Sequence, residues 1–157
     1  MQKIMKEEIL EVLEFIVSGQ SFGINVVQVC EILSYYPLTP VPNAHPYIEG
    51  IFMSRGTTIT TIDLKRSFNL GESKQEGSFI VIHYKNMEIA LHVDEIVGIH
   101  RIGEGNLISI EETGLLSKNE YIASVVKIQE KLIVVLNFTK IISEVNPDIV
   151  KEIEMEE

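Results

Sequence analysis

Four histidines, His45, His83, His92 and His100, are the first side chains to test for chemistry. A metal site carried on one helix would space two of them as H-x-x-x-H with an acid nearby, and no pair here does so. If residues 79–84 and 87–93 form a hairpin, His83 and His92 lie on its opposite arms, close enough to consider as a pair. A surface or strand-edge role for each is the plainer expectation. Cys30 stands in an apolar, strand-like run with no histidine placed by motif to activate it, so it reads as a buried structural thiol. The chain carries no G-x-S-x-G elbow, no Walker loop and no G-x-G-x-x-G. Acidic residues are plentiful, but nothing in the sequence isolates a pair for acid–base work. With no tryptophan there is no obvious stacking platform for sugars or bases. The expectation is a protein with no catalytic residue, no cofactor and no metal.

The residues that do point to a task point to binding. Pro37, Pro40, Pro42 and Pro46 stiffen one segment by fixing φ, which lowers the entropy lost on docking or simply makes a rigid crossover. Beyond it, Gly50 precedes Arg55-Gly56. An arginine beside glycine at a turn can project its planar fork toward a carboxylate, and Glu31 is the nearby candidate.

These residues must be held by strands. Short runs rich in Val, Ile, Phe and Thr recur at 13–17, 22–29, 57–62, 79–84, 87–93, 122–128 and 132–136. Ser-Gly-Gln-Ser at 18–21, Lys85-Asn86 and Gln-Glu-Lys at 129–131 read as hairpin turns between them. Helical signals are few. Residues 3–13 have a partly helical spacing. Asp63 and Gly71 could bracket one helical turn, and residues 139–145 could form another. Pro147 could open a further acidic helix. Many short strands joined by short turns mean an all-β barrel or sandwich.

The 157 residues carry 45% hydrophobic residues and a net charge of -10. That is enough apolar material for a core, and the negative field argues against nucleic acid and anionic lipid. A single cysteine rules out an intrachain disulfide and suits a reducing compartment. No apolar run reaches the roughly 18 residues of a membrane helix, so no membrane insertion is expected.

An internal repeat organises the chain. YIEGIFMSRGTTITTIDLKRSF at 47–68 aligns without gaps on YIASVVKIQEKLIVVLNFTKII at 121–142, an offset of 74. Asp63 faces Asn137, both able to cap a helix. Val-Cys-Glu-Ile at 29–32 echoes Val-Asp-Glu-Ile at 93–96, an offset of 64. The reading is two related β-units, about 14–71 and 78–142, within a domain spanning 14–145. An N-terminal extension (1–13) and an acidic C-terminal tail or helix (146–157) flank it.

Those residues carry a resemblance. Val-Cys-Glu-Ile at 29–32, Leu-Thr-Pro-Val-Pro-Asn-Ala-His-Pro-Tyr-Ile-Glu-Gly-Ile at 38–51, Arg-Gly at 55–56, Ile-Asp-Leu at 62–64 and Ala-Leu-His-Val-Asp-Glu-Ile at 90–96 together resemble the CheW-type coupling proteins of bacterial chemotaxis. The likeness extends over about 13–145. It implies two intertwined SH3-like five-stranded barrels on a shared hydrophobic centre, with short helical segments near the termini. It also implies a non-catalytic, cytoplasmic adaptor at receptor arrays beneath the inner membrane. Its partners would be the cytoplasmic tip of methyl-accepting receptors and the regulatory domain of the chemotaxis histidine kinase. Subdomain one would take the kinase, and the groove between subdomains the receptor's helical hairpin. Carried over by position, Glu31 and Arg55 would pair and shape the docking surface beside Gly56. Val29, Ile32 and Gly50 would lie at or near it, and Phe79 and Ile80 near the groove. The family's Asn-Leu before Arg-Gly is Met53-Ser54 here. The alternatives are a CheW-like regulatory module of another chemosensory or two-component pathway, or an unrelated β-barrel enzyme or ligand binder.

Overall fold

The computed structural model describes residues 10–109 and 119–146. Eleven strands and two short helices appear in these segments: β1 (Leu10–Val17), β2 (Gln20–Asn25), β3 (Val29–Ser34), β4 (Ile48–Ser54), β5 (Thr57–Asp63), α1 (Leu64–Ser67), β6 (Ser78–Tyr84), β7 (Met87–Val93), β8 (Glu95–Ile102), β9 (Leu107–Ile108), β10 (Ile122–Ile128), β11 (Lys131–Leu136) and α2 (Phe138–Val145). The predicted turns are there. Ser18-Gly19 and Arg55-Gly56 both lie at positive φ, as the two-residue loop of a tight hairpin requires. Asp63 caps α1 by accepting from the Lys65 amide. Asn137, its counterpart at α2, makes no side-chain cap bond.

The strands form two SH3-like barrels. Barrel I has the sheet order β8-β1-β2-β11-β10-β9, barrel II the order β3-β6-β7-β5-β4. Element for element the two repeats correspond: β1 with β6, β2 with β7, β3 with β8, β4 with β10, β5 with β11 and α1 with α2. Both barrels also contain one parallel pair in the same register, Val134 with Phe22 in barrel I and Thr60 with Ile89 in barrel II. Yet each barrel takes its hairpin from one repeat and its remaining strands from the other. The units 14–71 and 78–142 are thus units of repetition, and neither makes a sheet alone.

Connection length explains the exchange. Within its own repeat, β8 would have to lie beside β6 and run parallel to β7. Parallel neighbours need a crossover of about a dozen residues. Asp94 alone joins β7 to β8, and only Val26–Gln28 joins β2 to β3. Each chain segment therefore leaves one barrel and enters the other.

Three apolar clusters follow from this weave. Val12, Ile102, Val126, Ile133 and Val135 fill barrel I. Phe52, Ile59, Phe79, Val81 and Ala90 fill barrel II. Between the barrels, Leu13, Phe15, Val17 and Ile24 meet Ile62, Ile80, Ile82, Leu91 and α2. Strands β1, β6 and β7 are thus buried on both faces, which removes the alternation expected of half-exposed strands.

That double burial accounts for one misreading. Leu10, Val12 and Leu13, expected in a helix over 3–13, belong to β1; residues 1–9 lie outside the described segments, as does the expected helix at Pro147. The echo at offset 64 is corrected too. Ile96 pairs with Phe15 as Val29 pairs with Ile82, so the structural offset in this region is 67. His83 and His92 are not partners across their hairpin, since the register sets His83 against Glu88 and His92 against Phe79. Cys30, expected to be buried, is exposed, because it lies on the outward-facing side of edge strand β3.

Candidate docking surface

The Arg55-Gly56 turn joins β4 to β5, and β4 is one edge of the barrel II sheet. Glu31 sits on β3, the opposite edge. The Arg55 Nη2 lies 3.2 Å from the Glu31 Oε2, so the expected ion pair forms and ties the two edges together. It links a turn to a strand. Arg55 is largely exposed and Glu31 about four-fifths buried, so the pair contributes roughly 0–1 kcal/mol and acts chiefly on geometry.

The proline-rich segment completes the closure. Thr39 donates to the Ile51 carbonyl at 2.8 Å and accepts from the Ile51 amide at 2.9 Å, covering the free edge of β4. Leu38 packs on the barrel II cluster. This contact explains Gly50, which is buried. A Cβ there would stand 2.7 Å from the Thr39 carbonyl oxygen and 3.0 Å from the Leu38 Cβ. Gly50 therefore serves close approach of the backbone, and it presents no side chain to a partner. Gly56 is exposed at positive φ with open space around it.

The four remaining residues divide by burial. Ile32 is 43% exposed. Its cross-strand partner is Ile80, a shared-core residue, so Ile32 continues that core to the surface. Val29 is half-buried against the same core. Phe79 and Ile80 are fully buried, Phe79 inside barrel II and Ile80 between the barrels. They present no surface to a partner; at most they support one from beneath, and β6, which carries them, belongs to the barrel of β3–β5.

One residue on this surface was not legible in the sequence. Ile99 of β8 pairs with Leu13, again a shared-core residue, and is 57% exposed. Under the 67-residue offset it is the counterpart of Ile32. Two edge strands from different barrels thus each place an exposed isoleucine on the face that becomes the shared core. Val27 adds an exposed apolar side chain just before β3. The missed signal was the repeat itself, read three residues out of register.

The grouping of metal-type donors found among the described residues is Glu49, Asp63 and His92. Its atoms are already engaged. The His92 Nε2 faces the Glu76 carbonyl at 2.6 Å and its Nδ1 faces the Glu49 carboxylate at 2.6 Å. Both partners offer acceptor oxygens, an arrangement that favours the protonated ring. Burial alone would lower its pKa, but the Glu49 and Glu76 bonds outweigh that and raise it. Asp63 accepts from the Lys65 amide, the Ser73 amide and the Ser73 hydroxyl, with Arg66 alongside. The cluster reads as a closed internal network that fastens β4, β5, β7 and the 72–77 connection.

Among the described residues no helix is long and apolar enough to cross a membrane. Comparison with known proteins supports the same assignment as the geometry. The chain matches the CheW-like domain over residues 11–146. It is 30% identical over 125 residues to "Chemotaxis protein CheW" of Bacillus subtilis, covering 78% of this chain and 80% of that protein. It is 29% identical over 136 residues to "Chemotaxis protein CheW" of Thermotoga maritima, covering 86% and 89%. The crystal structure of the scaffolding protein TtCheW from Thermoanaerobacter tengcongensis superposes with a TM-score of 0.70 at 20% identity, covering 83% of this chain and 90% of that one, a likeness of fold. With paired barrels, an apolar seam at their junction and a match across nearly its whole length, the chain belongs to the family of chemotaxis proteins built on the CheW-like domain.

Proposed function

We propose that this protein is a non-catalytic adaptor that couples the cytoplasmic tip of methyl-accepting chemotaxis receptors to the regulatory domain of the chemotaxis histidine kinase, in arrays beneath the inner membrane. The observation that carries the reading is the pair of exposed isoleucines, Ile32 and Ile99, each on an edge strand beside a shared-core residue, which we read as flanking an apolar seam between the barrels. An apolar groove of this kind suits the apolar face of a helical hairpin. The Arg55–Glu31 pair beside it gives a fixed charge at one end of barrel II, which suits a partner surface of defined register. Each contact would be modest, and repetition in an array would supply strength.

Pull-downs with a receptor-tip fragment and with the kinase regulatory domain test this. Wild type should capture both. Ile32→Asp should lose the receptor fragment, and Arg55→Glu should weaken the kinase, with recovery in the Glu31→Arg, Arg55→Glu double variant. A wild type that captures neither partner defeats the adaptor reading. Variants that bind normally defeat the assignment of residues instead. Gly50→Asp is not a clean probe, because its side chain would push Thr39 off β4.

A further inference from the structure

The two barrels hold their junctions with the shared core differently. In barrel I, Phe22 of β2 lies opposite Val134 of β11, and Phe68 follows α1. Their rings stand 5.0 Å apart and tilted by 39°, and Phe22 also stacks on Phe15 at 6.2 Å. The counterparts in barrel II are Ile89, which lies opposite Thr60 in the same parallel register, then Ile142 of α2 and Ile82. All three aromatic positions are aliphatic there. Where barrel I is filled by rings, barrel II has an open cleft of about 320 Å³. Ile62, Ile89, Ile142, Val145, Met87 and Thr60 line it.

We propose that this cleft receives an aromatic side chain, phenyl or phenol, from a partner protein. The occupant is argued from the molecule's own other half, in which the equivalent junction is closed by a tilted aromatic pair. The floor is apolar, built on Ile62, Ile89 and Ile142, and the rim of Thr57, Thr58, Asn86, Glu88 and Asn146 supplies polar groups that can meet a phenol hydroxyl. A single aromatic anchor in a preformed pocket is a common energetic centre of protein interfaces. The cleft lies on β5, β7 and α2, whereas the Ile32–Ile99 seam lies on the edge strands β3 and β8. That the ring belongs to a protein rests on the adaptor reading; that the cleft takes a ring does not.

Two measurements test it. First, N-acetyl-phenylalanine amide and N-acetyl-tyrosine amide are titrated into the full chain with labelled isoleucine and methionine methyls. Saturable shifts at Ile62, Ile89, Ile142 and Met87, lost in Ile142→Phe and in Ile89→Phe, support the proposal. Unmoved methyls, or shifts that survive both filling variants, overturn it. Shifts that appear only after residues 147–157 are deleted also overturn it, because the chain's own C-terminal segment is then the occupant. Second, Ile142→Phe should weaken capture of the receptor fragment or the kinase domain by about tenfold or more. Unchanged capture of both overturns the partner claim. Ile89 and Ile142 belong to the shared core, where a larger ring costs stability, so the melting temperature of each filling variant is measured beside capture to separate lost binding from lost fold. Failure here leaves the Ile32 and Arg55 pull-downs untouched.

Discussion

Barrel I and barrel II share one topology but differ in what fills them. At equivalent interior positions barrel II has Phe79, Phe52 and Val81 where barrel I has Val12, Val126 and Glu14. Phe52 and Phe79 stack at 5.1 Å, so barrel II is held by a large apolar interior. Glu14 instead accepts from Ser21 at 2.6 Å and pairs with Lys131 and His100, a buried ionic centre. Barrel II keeps its own buried charge, His92, at its boundary with the 72–77 connection. The lesson is that the repeat conserves the pattern of inward-facing positions while leaving open whether packing or charge occupies them.

The largest test of that difference is Phe79→Ala, expected to cost about 3–5 kcal/mol of unfolding free energy by denaturant titration. Val12→Ala, its counterpart, should cost distinctly less, and equal losses would break the comparison.

Next come the two pH limbs. Burial pushes the Glu14 carboxyl up, but bonds from Lys131, Ser21 and His100 outweigh it and bring it down to about 2. A depressed carboxylate stabilises the fold above its unfolded pKa, and that contribution is lost as pH falls from about 4.5 toward 2, on the order of 3 kcal/mol. The His92 pKa is raised, so its contribution is full below about 6.5 and is lost as pH rises through the folded value. Stability curves across pH should therefore flatten on the acid side in Glu14→Gln and on the alkaline side in His92→Gln. An acid limb that persists in Glu14→Gln refutes the assignment.

Smaller effects sit in the matching turns. Arg55-Gly56 and Gln129-Glu130 both adopt positive φ, but barrel I does so without glycine. Glu130→Gly should raise stability by roughly 0.5–1 kcal/mol, seen as a higher melting temperature. The smallest effect is the Glu31–Arg55 coupling, about 0.2–1 kcal/mol in a double-mutant cycle and weaker in high salt.

Much of this was legible along the chain. The β-branched runs and turn residues marked seven of the strands and both helices. The apolar spacing exposed the repeat, and Arg55 beside Gly56 suggested its ion pair with Glu31. The burial of other site residues was not legible, because type alone does not report it. Phe79 and Ile80 are apolar in a strand whether they face a partner or the interior. Gly50 looked like a surface position because the backbone it accommodates, Thr39, arrives from a segment with no strand signal of its own.

The sequence by itself determined the local elements and their duplication, since turn chemistry and side-chain periodicity act within a few residues. Which hairpin joined which barrel was decided only in three dimensions. The two hairpins carry equivalent apolar patterns, so either could fill either barrel. Asp94 and Val26–Gln28 are too short to return a strand to its own repeat, and that constraint has force only once the sheet order exists. The same exchange sets β3 and β8, one from each repeat, on the hairpin of the other repeat, and so places Ile32 and Ile99 beside shared-core residues that their own repeats do not contain.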